Sequence, residues 1–350
     1  MLNKKVEVAH RSVGDGSPVF TVVELGVCHE QDVKVAQHFI DVAKKNCANA
    51  VKVEAFQADN FVMDRSLQHV YGTSSGEVTE NYYELLKRLE LNYEQIETIK
   101  SYADKVDMPF FSTVHNNQDV DFCLDIDVCA FKIASVDITH HSLLEYLSTK
   151  DKPVFLDTGG SYIDEINAAL SIFKKNDFRN VILMHNPTGY PAPADKTDLK
   201  FMKSLKSLLE VPVGFSCHTP GFDMVMASVA MGANVVEKPI TRNRHIRSPE
   251  HVFSIECSEL GDFLSRVRKV EAALGRPLRE NVDAGAHARA KRRGIYAKSN
   301  LPKGHVLTER DFLFCVPNKG VSASKYKKIL GKKLLKNYEK HEPFNFSFID

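Results

Sequence analysis

Short apolar runs recur along the first 275 residues, each followed by a polar stretch and then a segment with helical spacing. The candidate strands are Val19–Val23, Ala50–Val53, Pro109–Ser112, Val128–Ile133, Pro153–Leu156, Val181–Met184, Val211–Phe215 and Ala233–Val236. Between and after them, three-to-four-residue apolar spacing predicts helices over Val33–Lys45, Tyr93–Lys105, Gln118–Leu124, His141–Ser148, Tyr162–Lys174, Leu199–Leu209, Met224–Met231 and Ser258–Leu274. The strand runs are nearly continuous in apolar residues, as parallel strands covered on both faces require. Eight such units match a (β/α)8 TIM barrel in count and size. A doubly wound open sheet is the alternative, but no G-x-G-x-x-G follows the first strand to support it.

Two segments break the rhythm. Residues 1–17 are polar with a Gly-Asp-Gly, and read as a lead-in or a short hairpin. Glu54–Asn92 reads as a long polar loop, of the kind that forms lids and binding loops. After the barrel region (1–275), residues 276–290 read as a linker, and 291–350 as a small domain. Its runs Ile295–Ala297, Gly304–Leu307 and Phe312–Val316 are short, strand-like and split by Pro-x-Gly and Pro-x-x-Gly turns.

Composition changes this picture in two places. No apolar run approaches the roughly 20 residues of a membrane span, and residues 1–20 lack the apolar core of a secretory signal. The seven cysteines are scattered, with no C-x-x-C pair, which predicts reduced thiols in a cytosolic protein. Charge is balanced overall but not locally. Residues 290–350 carry 14 Lys and Arg against five Asp and Glu, while the rest carries 32 against 40. A basic tail suits nucleic acid or an acidic protein surface. This one lacks the interleaved aromatics of single-strand binders, which favours docking on an acidic barrel, its own or a partner's.

Active sites of TIM barrels lie at the carboxyl ends of the strands. Three lysines fall there: Lys52, Lys132 and Lys238. Burying a lysine is costly unless its charge is met. For a single lysine a local carboxylate such as Glu24 or Glu54 is the simpler partner, but several on one rim point to an anionic substrate. Hydroxyls occupy equivalent places, at Ser112–Thr113, Ser135, Thr158, Thr188 and Ser216. Glu24, closing the first strand, is placed for acid–base work. His29, His185, His218 and His251 lie near strand ends or rim loops, without the tight spacing of a metal motif.

These residues carry a resemblance to the sialic acid synthases, the family that makes N-acetylneuraminate and its pseudaminic, legionaminic and spore-coat relatives. The matching stretches are Glu24-Leu25-Gly26-Val27-Cys28-His29, Val51-Lys52-Val53-Glu54, Phe110-Phe111-Ser112-Thr113, Lys132-Ile133-Ala134-Ser135, His185–Pro191, Gly214-Phe215-Ser216-Cys217-His218-Thr219, Glu237-Lys238-Pro239-Ile240-Thr241 and Ser248-Pro249-Glu250-His251. Residues 292–334 resemble the family's antifreeze-like (SAF) domain.

The resemblance implies condensation of phosphoenolpyruvate with an N-acetylated aminohexose to give a nine-carbon 2-keto acid and phosphate. It implies that Lys52, Thr113, Lys132, Ser135 and Ser216 hold phosphoenolpyruvate, and that Glu54, Thr188, Tyr190, Glu250 and Arg293 face the sugar. Glu24, His218, Glu237 and Lys238 are the catalytic candidates. It also implies Mn²⁺ or Mg²⁺ on His218, and a homodimer in which the SAF domain, through Arg293 or Arg292, reaches the partner's barrel. Where the family has its second metal histidine this chain has Pro239, and Cys28, Glu54, Cys217 and Glu250 replace Asn, Gln, Asp and Asp. Two readings follow. One is a working synthase with a recast metal site, His218 with Cys217, Glu24, Glu237 or His251. The other is a homologue that keeps the fold and anion pocket but has lost or changed the condensation. A third reading, a synthase of deoxyheptulosonate or deoxyoctulosonate phosphate, is disfavoured by the SAF-like tail.

Overall fold

The computed structural model describes residues 2–275 and 291–350. The linker expected over 276–290 lies outside them. Two compact units divide the chain, Met1–Gly275 and Arg276–Asp350. Among the described residues, no helix is long and apolar enough to cross a membrane.

The first unit is a closed parallel barrel of eight strands: β1 (Phe20–Glu24), β2 (Ala50–Ala55), β3 (Phe110–Val114), β4 (Phe131–Ile133), β5 (Val154–Asp157), β6 (Val181–His185), β7 (Val213–Ser216) and β8 (Val235–Thr241). Each strand pairs with the next, and β8 closes on β1 through Val235–Pro239 against Phe20–Glu24. The TIM-barrel expectation is met. All five residues of β1 and all seven of β8 are buried, because barrel and helix layers cover both faces.

The register decides what the barrel mouth contains. Glu24 lies opposite Lys52, Glu54 opposite Thr113, Thr113 opposite Lys132, and Ser216 opposite Glu237. Paired residues in a sheet share a face, so one inward-facing ring collects these polar groups. Beneath it, Phe111 stacks on Phe155 at 5.0 Å between ring centroids and Phe20 approaches Phe155 at 6.4 Å, giving the ring an apolar floor.

Except for β4, each strand runs further at its carboxyl end than the apolar pattern indicated. β8 begins two residues later than expected and continues through Glu237, Lys238 and Pro239, which sequence reading had placed in the loop after it. Buried charges masked the strand: a run judged by apolarity ends at the first Glu, although the backbone ladder continues.

Residues 54–92 correct the loop expectation. They hold the end of β2, a helical turn (Ala58–Phe61), an antiparallel hairpin (Gln68–Thr73 with Gly76–Asn81) and a helix (Tyr82–Leu89). The Gly-Thr-Ser-Ser-Gly run is the hairpin turn, with Gly76 at φ +116°. Val27, Phe56, Tyr71, Val78, Leu85 and Leu89 give this excursion its own small core. The hairpin docks on the loop after β6: the Gly72 amide donates to the Tyr190 carbonyl at 2.7 Å, and a Cβ at Gly72 would stand 2.5 Å from Pro191 Cδ. At the amino terminus, Lys5–Val8 and Arg11–Gly14 form the short hairpin.

The second unit has its own core of Ile295, Ala297, Leu301, Leu307, Phe312, Val321, Ile329, Leu334, Tyr338 and Phe344. Gly294–Ala297 pairs antiparallel with Phe312–Cys315, and Val306 and Lys333 make a single bridge where a strand over 304–307 was expected.

Candidate functional site

Lys52 and Lys132 rise from β2 and β4 into the centre of the barrel mouth. Both are almost fully buried, and both meet carboxylates. The Lys52 ammonium contacts Glu24, lies 3.4 Å from Glu237 and 3.6 Å from Glu54, and donates to Thr113 Oγ1 at 3.2 Å. Lys132 contacts Glu237, lies 3.1 Å from Asp157 Oδ2, and reaches Ser216 Oγ at 3.5 Å. Ser216 Oγ donates to Glu237 Oε1 at 3.0 Å. Two ammonium groups thus face four carboxylates.

Burial and charge divide those carboxylates into two kinds. Burial pushes Glu237 up, but Lys132 and Lys52 outweigh it and hold its carboxyl well below the usual range. Glu54 is lowered for the same reason, by Lys52, His115 and Lys132 against its burial. Glu24 goes the other way: burial raises it well above the ordinary value despite Lys52. Burial likewise lifts Asp157 to about 6. Among the lysines, burial alone would lower Lys52, but Glu237, Glu24 and Glu54 overcome it and keep the ammonium charged. Glu24 and Asp157 are therefore the ring carboxylates that burial shifts toward the protonated form.

The other expected residues are distributed as follows. Lys238 follows Glu237 along the strand and so faces the opposite side. Its ammonium donates to the Thr219 carbonyl and to Cys217 Sγ at 3.4 Å, tying the loop after β7 to β8 outside the polar ring. His185 also faces outward, bonding the Thr197 carbonyl at 2.8 Å beside Phe201. Ser135, Glu54, Tyr190 and Glu250 line one cavity of about 310 Å³ next to the ring. Thr188 lines a different one of about 520 Å³, with His185 and Thr158. Arg293 belongs to the second unit, where its guanidinium donates to the Phe314 carbonyl at 2.8 Å.

Glu250 explains the glycine of the Glu-Leu-Gly stretch. Its Oε2 accepts from the Val27 amide at 3.1 Å and lies where a Cβ on Gly26 would come within 2.1 Å. Gly26 also has φ +49°, a left-handed conformation. Burial, then repulsion from Glu54, pushes Glu250 to about 7. Gly26→Ala is expected to lower unfolding stability by about 2 kcal/mol or more, from the backbone alone roughly 1–2 kcal/mol, with displacement of Glu250 added; urea denaturation measures it.

A divalent ion needs more than His218 provides. His218 is buried, stacked at 4.7 Å on Tyr190 with Phe253 at 5.5 Å, and its Nδ1 has no hydrogen-bond partner among the described residues. Burial, then Lys132, lowers it to about 3, so the ring is neutral. Of the companions expected for it, Cys217 meets Thr219 and Lys238, Glu24 meets Lys52, and Glu237 meets both ring lysines through Oε1, while His251 uses Nδ1 on Thr241 at 2.7 Å and keeps a buried Nε2 without a hydrogen-bond partner among the described residues. Among the described residues, no group of three His, Cys, Asp or Glu side chains is arranged to hold a metal. Pro239, paired with Glu24 across the β8–β1 ladder, supplies no side-chain donor. The residues present do not fit the expected ion.

Two site residues escaped sequence reading. Asp157 was passed over for its neighbour Thr158, although it closes β5 as Glu24 closes β1. His115, directly after β3, looked like one polar residue in a polar stretch. Its Nδ1 lies 2.6 Å from Asp137 Oδ2. The usable signal was the strand-end position itself.

A closed parallel barrel with buried carboxylates and two lysines at its carboxyl rim defines a (β/α)8-barrel enzyme. The chain belongs to the NeuB family, whose model matches residues 39–279. It is 31% identical to the N,N'-diacetyllegionaminic acid synthase of Campylobacter jejuni, over 92% of this chain and 97% of that one. It is 27% identical to the human N-acetylneuraminate-9-phosphate synthase, over 97% and 95%. Among solved structures, the N-acetylneuraminic acid synthetase of Leptospira borgpetersenii superposes with a TM-score of 0.74 at 27% identity, covering 82% of this chain and 95% of that one.

Proposed function

We propose that the protein condenses phosphoenolpyruvate with an N-acetylated aminohexose or related aldose, forming a nonulosonic acid and releasing phosphate. The observation that carries this reading is the convergence of Lys52, Lys132, Thr113 and Ser216 on one buried ring above an aromatic floor, with a sugar-sized cavity beside it. The ammonium groups offset the carboxylate and phosphate of the donor, and the two hydroxyls donate to its oxygens. The enol carbon attacks the aldehyde, water adds to the resulting cationic C2, and phosphate leaves by C–O cleavage. Glu24, whose carboxyl burial raises well above its ordinary value, is placed beside Lys52 to order that water. Tyr190, Glu250 and Glu54 face the acceptor, and Ser135, expected on the phosphoenolpyruvate, lines the same cavity. Mn²⁺ or Mg²⁺ carries no step, because among the described residues no His, Cys, Asp or Glu group is arranged with His218 to hold one.

The second unit is read as an antifreeze-like domain that docks on the barrel of a second copy, with Arg293 as the reaching residue. Light scattering of the full chain tests the homodimer.

The enzymatic test is phosphate release from phosphoenolpyruvate with a panel of N-acetylhexosamines and free hexoses, with and without Mn²⁺ or chelator. Acceptor-dependent release is expected. No release with any acceptor under any condition overturns the synthase reading. It would favour a homologue that keeps the pocket without the condensation, a reading to which the crowding of Lys132 by Asp157 and the proline at 239 lend weight.

A further inference from the structure

The condensation needs an acid where the sugar carbonyl turns into an alkoxide, and among the described residues neither Lys238 nor a metal set stands at the acceptor cavity. His115 does. It follows β3, and Asp137 ends the helical turn Ser135–Asp137 after β4, so two adjacent rim loops bring the pair together. Nδ1 is taken up by Asp137 at 2.6 Å, which leaves Nε2 as the free ring nitrogen. The backbone is pinned as well: the His115 amide donates to Asp119 Oδ2 at 3.0 Å. Phe61 meets the imidazole edge-on at 4.8 Å.

His115 lines the 310 Å³ cavity together with Glu54, Ser135, Tyr190 and Glu250, and also a wider neighbouring cavity of about 850 Å³. Glu54 is the shared wall: on one side it lies 3.6 Å from Lys52, and on the other it lines the same cavity as His115. The donor site and the His115 cavity are thus adjoining halves of one rim.

We propose that His115, oriented by Asp137, is the general acid that protonates the acceptor's carbonyl oxygen. This rests on the condensation reading above. As the enol carbon bonds to the aldehyde carbon, the carbonyl π pair moves to oxygen, which takes the Nε2 proton. The imidazole is left neutral, still donating Nδ1–H to the Asp137 carboxylate. When water adds to C2, the proton it sheds returns to Nε2. The new C2 hydroxyl proton leaves with phosphate as the ketone forms. Asp137 is a positioning residue. The charged and titratable groups around the ring are Asp137 on Nδ1, Glu54, Glu250, His69 and Tyr82 in the same cavity, and Asp119 on the His115 amide, with His140 3.8 Å from the far oxygen of Asp137.

The test uses the full chain labelled with nitrogen-15 histidine. The His115 Nε2 resonance, assigned by its loss in His115→Asn, is followed as glucose, mannose, N-acetylglucosamine or N-acetylmannosamine is added. At least one sugar is expected to move it. With that sugar and phosphoenolpyruvate, His115→Asn is expected to lower kcat about 100-fold or more. KM for phosphoenolpyruvate should stay roughly unchanged, and one limb of the pH–rate profile should disappear. Asp137→Asn gives a smaller loss and displaces that limb. A resonance that no sugar moves, or a kcat unchanged in a well-folded His115→Asn protein, overturns the proposal. A resonance that moves in a protein releasing no phosphate sinks the condensation reading and leaves His115 as a carbonyl-binding group.

Discussion

Replacing Lys132 is expected to abolish most of the activity and much of the stability together. Lys132→Met keeps the stem's volume but removes the ammonium that Glu237 contacts and that lies 3.1 Å from Asp157. Two buried carboxylates then lose their shared counter-charge. Breaking a buried pair by deleting one partner costs about 3–5 kcal/mol, because the remaining charge has no water to turn to. Phosphate release should fall by about 100–1,000-fold, the loss typical when one preorganised electrostatic donor is removed. The two effects separate in a double variant. Lys132→Met with Glu237→Gln removes both charges and should regain a large part of the stability by urea unfolding, but none of the activity. If Lys132→Met is as stable as the parent, the buried network is not the fastener that its geometry indicates. If the double variant regains activity, Lys132 does not hold the donor.

How much of this was legible in the chain follows from what each residue does to a local pattern. The barrel was readable because parallel strands buried on both faces leave unbroken apolar runs, and eight of them with helical spacing between admit few architectures. Lys52, Lys132, Thr113 and Ser216 were visible because a polar residue at the end of such a run is conspicuous. The hairpin over 68–81 was not. Its core partners, Val27 and Phe56, lie outside it in sequence, so its own alternation looked like a polar loop. The pairing of the lysines was also hidden. Glu237 meets Lys132 across 105 residues of chain, a contact set by barrel closure. Sequence reading left open whether the lysines await an anion or already have partners; the fold shows that they have partners, so any anionic substrate must enter a site already crowded with negative charge.

That crowding gives the second large prediction, at Asp157. Its carboxyl is lifted from 3.8 to about 6, chiefly by burial and in spite of Lys132. A folded-state pKa above the unfolded one means that the native protein binds this proton more tightly. The associated stability is therefore complete below about pH 4 and is lost as pH rises through 6. At 1.36 kcal/mol per unit the loss is about 2–3 kcal/mol, shared with the coupled groups around it. Asp157→Asn is neutral at every pH and escapes the loss. It should match the parent near pH 4 and exceed it by about 2 kcal/mol at pH 8, measured by urea unfolding at both. The same change acts on the substrate. Ionised Asp157 repels a phosphate or carboxylate held by Lys132, and a like charge about 5 Å away in a partly buried site is worth roughly 3 kcal/mol at an effective dielectric of 20. KM for phosphoenolpyruvate should accordingly fall by about 10-fold or more at pH 8, and the gap should close near pH 5, where the parent's own Asp157 is largely protonated. A variant that binds phosphoenolpyruvate more weakly at pH 8 would instead assign Asp157 a positive role, holding Lys132 in place or accepting a substrate hydroxyl, and the pH at which the two curves cross would show which.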